Sequence, residues 1–228
     1  MKKLLSLIFT INSIALWAQQ KNVFDITTSA GYNNHSYTYN IPGWYFKMGL
    51  EKRIGDNFQV SLRYWHSNSS NFPKNMHVYS FQKPQEDELI THFLGLTEEE
   101  RSTGKGSYML LVGDVIGLSA NYHLNIKKFY IAPKLGFNFI KSKYIDVGLH
   151  EAYFDNQGRT IGGKIGYDIR ASTLNGWSFG LDLGYKLNNH IQVFIDLEDI
   201  RDRNGQGGYN YYEAKTLGAG IKYSIIRK

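Results

Sequence analysis

Apolar and polar residues alternate with a period of two through most of this chain. From Phe58 one face reads Phe58, Val60, Leu62, Tyr64 and the other Gln59, Ser61, Arg63. From Trp177 one face reads Trp177, Phe179, Leu181, Leu183, Tyr185, Leu187 and the other Ser178, Gly180, Asp182, Gly184, Lys186. Period two marks a strand whose faces meet different surroundings. Eight strands are predicted: about 22–32, 39–54, one from Phe58, about 107–124, 129–142, one from Trp177, about 190–200 and 211–226. Pro133 has no N–H for a ladder, so it predicts a bulge or a locally unpaired position in the fifth strand.

The connections alternate in length. Gly55–Asn57, Asn125–Lys128 and Asn188–Asn189 are short and made of turn-forming residues. Between them fall Asn33–Thr38, Ser67–Gly106, Ser142–Gly176 and Arg201–Asn210. This rhythm predicts an all-β fold: an eight-stranded antiparallel up-and-down transmembrane β-barrel with short periplasmic turns and long extracellular loops. Closure removes every sheet edge, and unpaired backbone is very costly in lipid.

A soluble secreted barrel that binds a ligand shares this periodicity, with its apolar face inside. The polar face decides between them. It carries Asp25, Lys47, Glu51, Arg63, Lys134, Asp182, Lys186, Asp196, Glu198 and Lys222, five acids and five bases. Among them stand Gly31, Gly49, Gly117, Gly136, Gly180, Gly184, Gly218 and Gly220. Small residues beside long charged ones suit the inside of a narrow barrel, whereas a solvated outer face has no reason to prefer glycine. Aromatic residues near the turns (Phe58, Tyr122, Phe129, Tyr185, Tyr223) and near the loops (Tyr64, Phe139, Trp177) fit two interfacial girdles. The apolar face is therefore expected to meet lipid. The balanced charges are expected to form a self-neutralised polar lumen, closed or narrow.

Address follows from the start of the chain. Lys2 and Lys3 precede a largely apolar run from Leu4 to Trp17, which reads as a signal peptide at 1–18 followed by one barrel domain at 19–228. Cleavage after Ala18 or after Ala15 remains open. No cysteine is present, so nothing is stapled or ligated through sulfur. A net charge of +6, part of it from Lys2 and Lys3, is too scattered to argue for nucleic acid.

On these strand patterns, and on the closing strand Leu217-Gly-Ala-Gly-Ile-Lys-Tyr223, the chain resembles the OmpA/OmpX-like outer-membrane proteins, the porin-family β-barrel domain. The resemblance covers the whole chain after the signal. It implies a bacterial outer-membrane location, surroundings of lipid and lipopolysaccharide, and little or no open pore. It also implies assembly by machinery that reads a terminal aromatic residue; this chain departs from that pattern by ending Tyr223-Ser-Ile-Ile-Arg-Lys228, which leaves Tyr223 as a candidate for that role a few residues early.

Few motifs suggest chemistry. His66-Ser67-Asn68-Ser69-Ser70-Asn71 loosely resembles the His-x-Ser-Asn stretch of lipid A deacylases. His66 and Ser69 are the alternative catalytic pair, but they lie on opposite faces of an extended strand, and no acid is evident to orient the histidine. A polar loop start is the simpler reading. Residues 85–94 show helical apolar spacing, and Thr97 with Glu100 matches a capping box. Asp202–Gly205 lacks the acidic partners of a calcium loop, and Tyr209–Tyr212 suits the outer girdle. The expectation is a monomeric structural, adhesion or surface-interaction barrel, not an enzyme. No cofactor or metal is expected, and the loops are offered to an extracellular protein or glycan.

Overall fold

The computed structural model describes residues 23–36, 40–72, 93–100, 107–202 and 212–226. The expected signal peptide and its cleavage sites lie outside these residues. The strands are β1 (Val23–Ser36), β2 (Asn40–Ile54), β3 (Phe58–Ser70), β4 (Ser107–Tyr122), β5 (Leu124–Ile126), β6 (Phe129–Phe154), β7 (Thr160–Lys186), β8 (Ile191–Asp202) and β9 (Glu213–Ile226). All pair antiparallel in the order β4-β3-β2-β1-β9-β8-β7-β6-β5, and a β4–β6 ladder closes the ring. The three-residue β5 continues the line of β4 beyond His123. The ring therefore has eight staves, the up-and-down barrel that the alternation predicts.

Pro133 explains the break between β4 and β5. It keeps register with Leu181 on β7 without a bulge. On its other side the ladder runs to Asn121↔Lys134 and resumes only at Leu124↔Ile131. The gap falls where proline has no N–H to give, while on the β3 side the His123 N–H donates to the Asn57 carbonyl at 2.6 Å and continues that ladder.

Outward residues form an apolar belt. Leu62 on β3, Leu118 on β4 and Phe179 on β7 are all more than half exposed, while their neighbours Arg63, Ser119 and Ser178 are buried. A surface so apolar over the whole circumference belongs in lipid.

Three segments differ from the expectation. The fifth strand does not end at 142, nor does the sixth begin at Trp177: β6 and β7 run on as one hairpin, closed by a turn at Asp155–Arg159. At about 3.3 Å per residue β6 is about 86 Å long, where about 9–11 tilted residues cross the hydrocarbon. The extension is hidden because exposed Lys141 and Lys143 interrupt the outward apolar series, and Ile145 and Val147 beyond them are buried under a covering segment. Phe93 is wholly buried against Leu110, Ile145 and Val147, with Phe72, Leu96, Leu149 and Ile165 around them. The cover is fixed by backbone: Gly95 N donates to Thr160 O at 2.8 Å, and Thr160 N donates to Leu96 O at 3.0 Å. Burying the Phe93 ring contributes about 1.5–3 kcal/mol.

β3 likewise continues through Ser70, so His66–Ser70 is strand and not the start of a loop. It is paired to β2 as far as Gly43↔Ser69 and to β4 as far as Ser70↔Leu110. Two continuous ladders override the turn propensity of Asn and Ser. The third difference is Tyr212, expected in the outer girdle and found wholly buried inside. It belongs to an apolar interior cluster with Tyr45, Trp65, Leu111, Val115, Ile140 and Ile200. These residues plug the lumen toward the long-loop end.

Candidate functional site

Below that plug the lumen charges converge. Lys47 Nζ lies 2.7 Å from Asp196 and 2.7 Å from Glu198. Arg63 Nη1 donates to both Glu198 oxygens at 2.7 and 2.8 Å. Lys134 Nζ reaches Asp182 and Asp196 at 2.6 Å each. Asp196 also accepts from Tyr45 Oη at 3.0 Å and Ser29 Oγ at 3.1 Å. Three cations thus face three carboxylates, each buried, and only such mutual pairing makes so much charge tolerable away from water.

A second group lies toward the short turns. Lys222 Nζ is 2.6 Å from Glu51, Gln59 donates to Asp25 at 2.8 Å, and Arg53 stands 3.7 Å from Asp25. Lys186 stands apart from both groups. It sits half-buried at the mouth and donates to Asn125 at 2.7 Å. Arg53, which sequence reasoning did not place in the lumen, takes the position facing Asp25.

Glycine makes room for these long side chains. A Cβ at Gly136 would fall 2.8 Å from the Arg63 guanidinium and 2.6 Å from Ser178 Oγ, and one at Gly184 would collide with the Tyr130 ring. Lys47, Arg63, Trp65, Val115, Gly117 and Asn138 close around one another without leaving room for a water molecule between them.

The His66 stretch divides between two faces. Ser67 and Ser69 point inward and are buried. Ser69 Oγ accepts from Asn33 Nδ2 at 3.1 Å, and Ser67 Oγ lies 3.0 Å from Tyr212 Oη and 3.4 Å from His35 Nε2. His35 escaped the sequence reading, since only its burial beside Tyr212, with ring centroids 4.7 Å apart, reveals it. His66 points outward. Its Nδ1 lies 2.9 Å from Asp114 Oδ1, which also accepts from Tyr64 Oη at 2.7 Å, and Trp44 packs against its ring. The acid missing from the sequence reading is therefore supplied by β4, directly across the ladder from His66. Ser70, the next outward serine, is four residues along β3, about 13 Å away. The structure does not bring His66 and Ser69 together.

Toward the long-loop end, Thr97 N donates to Glu100 Oε2 at 3.1 Å and Glu100 N to Thr97 Oγ1 at 3.2 Å, a reciprocal cap. The helical spacing at 85–94 lies outside the described residues except for Phe93 and Leu94. Asp202 accepts from Tyr212 N at 3.1 Å, and no group of three or more candidate metal ligands occurs among the described residues.

A closed ring of eight antiparallel staves, apolar outside and ion-paired inside, defines a transmembrane β-barrel of the outer-membrane type. No protein-family model matches the chain, and no curated protein matches it. Solved structures match its fold. Neisserial surface protein A superposes with a TM-score of 0.50 at 13% identity, covering 88% of this chain and 96% of that one. A major outer-membrane protein of Thermus thermophilus gives 0.49 at 14% identity, covering 89% and 99%. The N-terminal β-barrel domain of Pseudomonas aeruginosa OprF gives 0.43 at 10% identity, covering 90% and 100%. The chain has the fold of these outer-membrane barrels, and its apolar belt suits a lipid bilayer.

Proposed function

We propose that this barrel is a surface-interaction protein whose working part is the β6–β7 hairpin, offered to an extracellular protein or glycan. One observation carries the reading: strands of 26 and 27 residues rise far beyond the membrane, and one apolar face of the arm is sealed by Phe93–Leu96. A stiffened arm holds its other surface in a fixed shape, which lowers the ordering cost of binding. The barrel anchors that arm. Its lumen is read as closed, since buried ion pairs and the Tyr45–Trp65–Tyr212 plug occupy the axis.

Lipid hydrolysis is the alternative that the His66–Asp114 pair favours. A base oriented by an acid still needs a nucleophile within hydrogen-bond reach, and Ser67 and Ser69 face the lumen. We therefore assign the pair a place in the outer rim and no catalysis.

The test replaces 146–168 with Asn-Gly, which joins the paired residues Ile145 and Ile169 by a tight turn. Cells bearing the parent or the shortened barrel are compared on immobilised matrix proteins and a glycan array. The parent is expected to bind at least one surface and the shortened form to lose it, with heat-modifiable gel mobility unchanged. Equal binding by both would remove the arm from the function.

A further inference from the structure

Two recesses lie back to back at the short-turn end of the barrel. One is a depression of about 1010 Å³ in the lipid-facing wall of β6–β9, lined by Phe129, Leu183, Val193, Ala219 and Ile221, with Ile126 at its rim. Its volume matches the upper end of ordinary ligand clefts, about 300–1,000 Å³. It exists because Ala219 is small where its outward neighbours are large, and the Tyr130 and Phe194 rings back it across Gly184 and Gly220. At its edge Ile126 and Phe129 are each 61% exposed, more than any other large apolar residue described.

The other recess, of about 380 Å³, opens at the mouth of the lumen between Arg53, Lys128, Lys186, Asn188, Asn189 and Gln192. Three cations and three amides surround it, and no carboxylate is among its described lining residues, although Asp25 stands 3.7 Å from Arg53. The two recesses meet at the rim. Lys128 lines the polar one and its neighbour Phe129 the apolar one; Lys186 and Tyr185 repeat that division on β7. Lys127, in the left-handed backbone region with φ 57°, makes the turn between β5 and β6 tight enough to bring Lys128 beside Phe129.

We propose that this rim binds an anionic phospholipid, one acyl chain in the depression and the headgroup phosphate folded over the edge to Lys128 and Lys186. The proposal rests on the membrane orientation read above, with the short turns in the periplasmic leaflet. Charge complementarity selects the occupant, since a second apolar protein would leave the cationic recess unmatched, and a zwitterionic lipid would bring a positive group to it. Asn188 and Asn189 offer amide N–H donors to the same phosphate.

The test is native mass spectrometry of the protein released from nanodiscs of phosphatidylcholine containing a minority of phosphatidylglycerol. The parent is expected to retain phosphatidylglycerol well above its share of the bilayer. K128Q/K186Q is expected to lower that preference, about fivefold for each lysine removed. A219F, which fills the depression from the lipid side, is expected to retain neither lipid while keeping heat-modifiable mobility. Retention in bulk proportion by the parent would overturn the site, as would a preference that survives K128Q/K186Q. Phosphatidylglycerol retained by A219F as by the parent would overturn the acyl-chain placement. A parent that fails to enter nanodiscs at all would instead refute the membrane reading itself.

Discussion

Arg63 and Glu198 stand on strands diametrically opposed in the ring, four staves apart in either direction, and still meet at 2.7 and 2.8 Å. The pair spans the barrel's diameter, so it braces the cross-section where Gly136 leaves space for the guanidinium.

That brace should be sensitive to unequal removal. Arg63→Ala leaves Glu198 facing Lys47 with a lost partner, and breaking a buried pair from one side costs about 3–5 kcal/mol. Replacing both members by methionine should cost much less. Guanidinium unfolding in lipid, followed by heat-modifiable mobility, compares them. In planar bilayers the single variant should also pass more current than the parent. Stability within about 1 kcal/mol of the parent for Arg63→Ala would mean the ion pair holds nothing.

The belt predicts the opposite chemistry outside. Leu118 pairs with Leu62 and Phe137 on the lipid face. Leu118→Arg should destabilise the folded barrel by about 2–4 kcal/mol if it lies near the bilayer midplane. Folding equal to the parent in vesicles would contradict the assignment of inside and outside.

These two expectations were legible in the sequence because lipid and a narrow lumen impose opposite demands on adjacent residues. Leu118 and Ser119 announce their faces by type alone. Tyr212, Trp65 and Val115 did not, since an apolar residue pointing inward breaks the pattern only where the lumen is plugged by hydrophobic side chains. The β6–β7 arm was hidden for a related reason. Beyond the membrane, Ile145 and Val147 are buried by Phe93, a contact from a distant segment that no local periodicity encodes. His66 was visible and Asp114 was not, because the pair depends on the β3–β4 register.

Gly184 offers a test of fit. A Cβ there collides with the Tyr130 ring, so Gly184→Ala should destabilise by about 1–3 kcal/mol through overpacking. Tyr130→Phe keeps the ring and should not relieve it, whereas Tyr130→Ala should in part. Additive effects of Gly184→Ala and Tyr130→Ala in a double-mutant cycle would show that the two do not compete for space.

The tip of the arm carries a pH dependence. The Asp155 carboxylate accepts from the backbone N–H of Arg159 at 2.8 Å and of Gln157 at 2.9 Å, and from the Arg159 guanidinium. The Arg159 N–H foremost, with the other bonds, holds its pKa below the ordinary carboxylate value. A depressed pKa in the folded turn means that the order it confers is present above the ordinary value and lost as pH falls through the lowered one. Protection of the Gly158 and Arg159 amides, taken relative to the intrinsic exchange rate at each pH, should therefore be high at neutral pH, lower in acid and low at both in Asp155→Ala. Exchange that ignores this substitution would detach the carboxylate from the turn.

His66 is predicted to be inert. Incubation with lipid A should release no fatty acid, and His66→Ala should fold as the parent does. Mass spectrometry showing an acyl chain lost, and the loss abolished by His66→Ala or Asp114→Asn, would restore the enzymatic alternative.

The β1–β9 ladder, thirteen pairs from Val23↔Ile226 to His35↔Ala214, joins the two ends of the folded chain, while the other ladders join strands near in sequence. Hairpins can form early; this seam cannot, because its loop is the whole sheet. Until it zips, Arg63 and Glu198 lie on a curved ribbon with no opposite wall, and both ribbon edges carry unpaired backbone that the bilayer penalises heavily. Joining β1 to β9 is thereby the one pairing that both removes the exposed edges and gives the Arg63–Glu198 brace its opposite wall.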